Sequence, residues 1–183
     1  MSNEKGLDVI VDQVKEFHTA FGHPVAEGVV RPLDLERATS RAIWAGEEIV
    51  VEFLHQSSNN EEEFLAAYDK MIAGLEKAKE KSLALPYPKS QLEKVIGQSD
   101  ALIDGFYFLG GSFVEIGIRP QSLFNIVQDA NMAKLGADGK PIIRESDGKI
   151  MKPEGWVPPE EKLEEEIKKQ VHVSLEHQAS EEE

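Results

Sequence analysis

The sequence predicts an all-α protein: a bundle of four to five helices, a small irregular C-terminal lobe, and a charged C-terminal helix or tail. Three observations carry this. Apolar residues recur at three- and four-residue spacing through five long segments, helix stop and start signals separate those segments, and alternating strand-like patterns are confined to one short stretch. The 183 residues match one domain with an appendage, and the absence of cysteine excludes disulfides, thiolate metal sites and a cysteine nucleophile.

Leu7, Ile10, Val11, Val14, Phe17, His18 and Phe21 line one face of a first helix that stops at Gly22, with Pro24 beyond it. Asp34 is placed to cap a second helix from about Leu35 to His55. Ser57 to Asn60 breaks the pattern, and Glu61 to Lys81 resumes it with acids at its start and lysines 77, 79 and 81 at its end, as the helix dipole favours. Leu83 to Lys89 carries Pro86 and Pro88 and is a connector. Ser90 with Glu93 reads as a capping box opening a fourth helix that runs to about Gly117. From Ala101 to Ile118 that helix is apolar on nearly every face, the mark of a central bundle helix or of one also covered by another subunit. A homodimer or higher homo-oligomer is expected, with the site near its interface.

Pro120 suits the first turn of a fifth helix, stopped by Gly136. Between Ala137 and Pro153, Asp138-Gly139 and Asp147-Gly148 flank Lys140-Pro-Ile-Ile-Arg144 and predict one or two turn-linked strands. Glu160 to Gln178 keeps a four-residue apolar step at Leu163, Ile167, Val171 and Leu175, which predicts a surface helix docked on a narrow stripe, or one that frays. The domain division read from these signals is 1–157, including a turn-rich lobe at 137–157, followed by a charged segment at 158–183.

The net charge of −14 argues against a nucleic-acid polymer as partner. It leaves phosphorylated small molecules open, because divalent cations reverse the local sign of an acidic site. Six of the negative charges belong to 158–183, with nine acids and three bases. No secretory leader or membrane span is read, so a cytoplasmic location without membrane partners is expected.

Two acid pairs stand out. Glu48 and Glu52 are four residues apart on the second helix and share a face with Arg41, Trp44 and His55, while Glu47 lies about 100° around it. Asp100 and Asp104 repeat the spacing on the fourth helix, and Asp104 interrupts an apolar run. A buried carboxylate needs a compensating cation, either an arginine such as Arg37 or Arg41 or a divalent metal. Two such pairs on adjacent helices would form an oxygen cage suited to Mg2+ or Mn2+, and Mg2+ completes its shell with substrate phosphates. Asn131 and Lys134, three residues apart, would grip phosphate oxygens; Lys140, Arg144, Lys149 and Lys152 make a local basic cluster. Trp156, in a proline-glycine turn, either stacks on a base or pins the lobe, with pinning weighted slightly higher. The five histidines form no motif, and no nucleophile elbow is present.

Glu47-Glu48 with Glu52, Asp100-Ala-Leu-Ile-Asp104-Gly-Phe-Tyr, Ala130-Asn-Met-Ala-Lys134-Leu, Asp138-Gly-Lys-Pro141 and Gly148-Lys-Ile-Met-Lys-Pro-Glu-Gly-Trp156 together resemble the all-α nucleoside triphosphate pyrophosphohydrolases. The likeness is to MazG-like and phosphoribosyl-ATP pyrophosphohydrolase-like proteins and spans roughly Glu16 to Pro159. It implies a Mg2+-dependent hydrolase that converts a nucleoside triphosphate, non-standard or deoxy, to the monophosphate and pyrophosphate. Carried over by position, Glu48, Glu52, Asp100 and Asp104 are the metal ligands and Glu47 an outer ligand or the residue that orients water, Glu47 and Glu48 being the catalytic carboxylates; Asn131, Lys134, Lys152 and Trp156 are read beside them as the substrate-binding residues. The sequence departs from the E-E-x-x-E and E-x-x-D patterns of that group: its third acid, Glu52, comes one residue late, and Asp100 stands one residue before the expected glutamate. Two other readings remain, phosphoribosyl-ATP or another nucleotide conjugate as substrate, and a decayed site in a nucleotide-binding or oligomeric interaction protein.

Overall fold

A computed structural model describes residues 6–146 and 149–181, with side chains described through residue 174. Seven α-helices and a two-stranded sheet follow in the order α1 (Gly6–Ala20), α2 (Leu35–Gly46), a π-helical turn (Glu47–Glu52), α3 (Phe53–Gln56), α4 (Glu61–Leu83), α5 (Gln91–Ile116), α6 (Pro120–Met132), β1 (Ile142–Ile143), β2 (Ile150–Met151) and α7 (Glu160–Glu181). The all-α class expected from periodicity is what forms. The chain divides into two compact units, one of residues 29–104 and one of residues 1–28 with 105–183, so α5 belongs in part to each.

In the unit of residues 29–104, local capping chemistry places the helices. Asp34 Oδ1 accepts the Arg37 N–H at 2.7 Å and starts α2. Asn60 Oδ1 accepts the Glu63 N–H at 3.0 Å and starts α4, while Glu63 reaches back to the Asn59 N–H at 2.9 Å. The reciprocal pair at α5 is as expected at Ser90: its Oγ accepts from Glu93 N–H at 3.1 Å. The Glu93 carboxylate, however, takes the N–H of Lys89 rather than that of the cap itself. The side-chain amide of Gln98 pairs with both backbone groups of Leu33, accepting its N–H and donating to its C=O, each at 2.9 Å. This ties α5 to the residue that leads into α2. The expected helix over 35–55 forms, but not as a regular α-helix: residues 47–52 are π-helical.

In the second unit α1 packs on α6. The Gln13 amide donates to Asn125 Oδ1 at 3.1 Å, and the buried Gln128 amide donates to the Gln13 carbonyl at 2.9 Å. Phe21, stacked on Phe17 with ring centroids 4.3 Å apart, and Ala130 are the buried apolar residues among those described. Gly117, at φ 80°, ends α5 by returning the N–H groups of residues 117 and 118 to the Phe113 carbonyl. β1 and β2 pair antiparallel, Ile142 with Met151 and Ile143 with Ile150, so the expected strands form. The first Asp-Gly turn is present with Gly139 at φ 73°; Asp147-Gly148 lies outside the described residues.

α7 docks on α6 through a face that shares Leu163 with the expected apolar step but turns away from Ile167 and Val171. Ile167 and Val171 are exposed, and the inward positions are Leu163, Glu166 and Gln170. Gln170 bridges the open start of α6: its Oε1 accepts the Arg119 N–H at 2.8 Å and its amide donates to the Arg119 carbonyl at 3.1 Å. Leu175, the last of the expected positions, lies beyond the described side chains.

Candidate functional site

The acids Glu47, Glu48, Glu52, Asp100 and Asp104 all lie in the unit of residues 29–104. All five are exposed, and among the described residues none makes an ion pair or hydrogen bond through its carboxylate. Asp104 was expected to be buried and is not, because the apolar residues around it are themselves uncovered in the single chain: Leu102 is 62% exposed and Ile103 57%. The arginines offered as alternative partners are used elsewhere. The guanidinium groups of Arg37 and Arg41 sit over the Trp44 ring at 5.2 and 5.9 Å from its centroid, a stacking that suits the planar delocalised cation. Asp104 is therefore neither buried nor paired with an arginine.

The cage expected from four carboxylates on two helices is not closed within one chain. Among the described residues no three histidine, aspartate or glutamate side chains converge as a metal site. The Leu33–Gln98 tie gives a geometric reason. Glu48 lies fourteen residues beyond Asp34, about 21 Å along a helix, whereas Asp104 lies six residues beyond Gln98, about 9 Å along α5. The two sets are thus about 12 Å out of step even if the helices run parallel. As a donor set the five suit a hard divalent cation: all are carboxylates, and none is paired with an ammonium or guanidinium group among the described residues.

The basic lobe belongs to the other unit and is assembled by the hairpin. Gly136 donates to the Lys140 carbonyl at 2.7 Å, and a Cβ at that position would meet Asp138 Oδ1 at 3.2 Å and the Lys140 carbonyl at 3.3 Å, contacts that a larger residue could make only if these neighbours shifted by a few tenths of an ångström. β2 leads directly into Lys152 and the turn Pro153–Trp156, closed by the Trp156 N–H on the Pro153 carbonyl. The indole N–H of Trp156 donates to the Ala130 carbonyl at 2.8 Å, near the C-terminus of α6. The pinning role holds, and the indole donor is committed. Lys152 Nζ lies over the same ring at 4.1 Å and Lys134 Nζ at 5.9 Å, while Lys134 donates to Asn131 Oδ1 at 2.7 Å. Asn131, Lys134, Lys152 and Trp156 are thus one cluster.

Burial pushes the Lys134 ammonium below its ordinary value, and the positive charge of Lys152 adds to the shift. The protonated form is the one disfavoured by folding. The resulting cost to stability is present below the folded value and is relieved as pH rises through the window between that value and the ordinary 10.5. Replacing Lys152 by alanine is expected to raise the Lys134 midpoint without restoring it fully, since burial is the larger cause. Side-chain nitrogen NMR of lysine against pH checks this, and an unmoved midpoint contradicts the coupling.

The helical fold and the proteins it is similar to make the chain a hydrolase that acts on pyrophosphate bonds of nucleotides. Residues 14–131 match the model of the phosphoribosyl-ATP pyrophosphohydrolase family, and the chain belongs to that family. It is also similar to a crystal structure of a candidate NTP pyrophosphohydrolase from Exiguobacterium sp. 255-15, with 54% identity and a TM-score of 0.87 over 90% of this chain and 96% of that one. Among curated proteins none matches significantly. The family match includes all five acids and ends at Asn131, so Lys134, Lys152 and Trp156 lie beyond it. No single helix among the described residues is long and apolar enough to cross a membrane.

Proposed function

We propose that the chain is a Mg2+-dependent nucleoside triphosphate pyrophosphohydrolase that releases the nucleoside monophosphate and pyrophosphate, with deoxy or non-standard nucleotides as substrates. The observation that supports this best is the set of five exposed carboxylates that have no cation partner among the described residues, all within the family-matched region. Left to themselves, like charges four apart on a helix repel by a few tenths of a kcal/mol, so the arrangement costs stability unless a cation is bound.

In this reading Glu48, Glu52, Asp100 and Asp104 hold the metal, for which Mn2+ is an alternative. Mg2+ held there supplies charge compensation for the triphosphate. Glu47 and Glu48 orient the attacking water for in-line displacement on phosphorus. Asn131, Lys134 and Lys152 hold phosphate oxygens, Lys134 with a fixed geometry because its ammonium is already anchored to Asn131 Oδ1. Trp156 acts chiefly by fixing the turn that presents Lys152. Catalysis is then positioning and charge compensation, without a covalent intermediate.

A homodimer or higher homo-oligomer is part of the same proposal. Among the described residues the acids of one chain do not converge, and in this reading the exposed apolar face of α5 beside Asp104 is covered by another copy of the same chain. A second reading, a nucleotide-binding protein without turnover, draws on the same lack of convergence. Incubation with Mg2+ and a panel of ribo-, deoxy- and modified triphosphates together with phosphoribosyl-ATP separates them. Equimolar pyrophosphate and monophosphate from a deoxy or modified triphosphate is the expected result. Turnover of phosphoribosyl-ATP alone moves the substrate, and release of single phosphate or no turnover refutes the reading.

A further inference from the structure

Arg37, Arg41 and Trp44 of α2 form a cluster that the function proposed above leaves unused. Both guanidinium groups lie over the Trp44 indole, at 5.2 and 5.9 Å from the ring centroid. Like charges four residues apart on a helix repel, and here one ring holds both. Elsewhere in the chain, helical lysines take a carboxylate three or four residues away, as in Lys168–Glu164 and Lys169–Glu166. Arg41 has no acid at either spacing. Arg37 has Asp34 three residues back, but Asp34 Oδ1 is occupied in capping α2. Among the described residues neither guanidinium makes an ion pair or hydrogen bond, in a chain with 34 acids to draw on.

A guanidinium stacked by its face keeps its N–H edge for other partners, and that edge is the fork that pairs with two oxygens of one phosphate. Two forks on one ring offer donors to two phosphate groups held close together. The indole N–H of Trp44 is also without a partner among the described residues, whereas that of Trp156 is committed to the Ala130 carbonyl. Stacking fixes two long side chains before any ligand arrives, which lowers the ordering cost of binding one.

We propose that Arg37 and Arg41, held on the Trp44 ring, bind the pyrophosphate end of a nucleoside triphosphate, the leaving group of the reaction. The inference rests on the pyrophosphohydrolase reading above and adds to it a site for the β- and γ-phosphates. Glu47 and Glu48 follow directly in the same helical segment, so the acids and the two guanidinium groups are presented by consecutive turns. A nucleoside monophosphate has no β- or γ-phosphate and gains nothing from the two forks. The cluster thus separates substrate and pyrophosphate from the other product.

The chain's two tryptophans, Trp44 and Trp156, each belong to one basic cluster, so fluorescence reads the two clusters separately. In the full chain carrying Trp156→Phe, titration with inorganic pyrophosphate is expected to change Trp44 emission. Arg37→Gln with Arg41→Gln is expected to weaken that response at least about tenfold, since two charge-assisted forks are lost. In the chain with both tryptophans, the same pair should lower kcat/KM for the triphosphate and raise the pyrophosphate inhibition constant, each by at least about tenfold. Inhibition by the nucleoside monophosphate should stay within about twofold of the parent; a merely structural disturbance would move both. If the double variant does not fold, each single substitution decides the case, with an expected loss of at least about threefold. Trp44 emission indifferent to pyrophosphate, or a response that survives loss of both arginines, overturns the inference. So does an equally strong response to inorganic phosphate, or equal weakening of both products. A parent that releases pyrophosphate from a triphosphate while giving any of these results leaves the function standing and removes this site alone. A parent that turns over no nucleotide defeats the function on which the assignment rests, whatever Trp44 reports.

Discussion

Glu48→Gln is expected to lower kcat/KM for pyrophosphate release by about a thousandfold, roughly 4 kcal/mol of transition-state stabilisation. The substitution preserves side-chain volume and removes one charge from an exposed position that makes no hydrogen bond or ion pair among the described residues, so the fold should tolerate it. Its effect is large because Glu48 carries two assignments, metal ligand and orienter of water. Losing a side chain that only hydrogen-bonds to a ligand typically costs a metal site about 10–100-fold, and losing a ligand itself should cost more. Two measurements separate the roles. Raising Mg2+ should recover the part of the loss due to metal occupancy and leave the part due to water orientation. Glu47→Gln, removing only the second role, should show no Mg2+ rescue. Activity of Glu48→Gln within tenfold of the parent at saturating substrate and ordinary Mg2+ would remove Glu48 from the site.

How far such residues can be read from sequence depends on whether the signal is local. Asp34 and the Ser90–Glu93 pair are legible because a cap is complete within four residues, and each forms with a bond of 3.1 Å or shorter. Asn131 and Lys134 are legible for the same reason, their three-residue spacing being enough to join them at 2.7 Å. The π-helical turn at 47–52 has no such local signal, because the apolar spacing there reads as continuous helix. α7 forms where the apolar step predicts, but its docking face departs from that step after Leu163, because the docking is decided far away in sequence. The unsatisfied backbone groups at Arg119 recruit the Gln170 amide, and an apolar stripe at Ile167 and Val171 says nothing about that demand. For Asp104 the signal is incomplete in another way: an apolar neighbourhood reports that a residue is to be covered, but not by which chain.

That last distinction yields the second large effect. Tyr107, Phe108 and Val114 of α5 are 81%, 76% and 80% exposed in the single chain, levels at which a polar substitution ordinarily changes stability by less than about 0.5 kcal/mol. If a second copy covers this face, Phe108→Asp instead buries an unpaired carboxylate in an apolar contact. The penalty is then several kcal/mol, enough to dissociate the assembly at micromolar concentration. The parent is expected to sediment as a dimer or larger species built from the 20.4 kDa chain, and Phe108→Asp as the monomer with a lowered thermal midpoint. Phe108→Leu should retain the assembly, since it keeps the apolar surface. Loss of Mg2+ binding together with loss of the dimer would mean that acids from two copies complete one site, as the axial mismatch between Glu48 and Asp104 leads us to expect. A Phe108→Asp variant as stable and as large as the parent would show that this face is not covered by another copy. The proposed closure of the acid set across the interface would then fail with it.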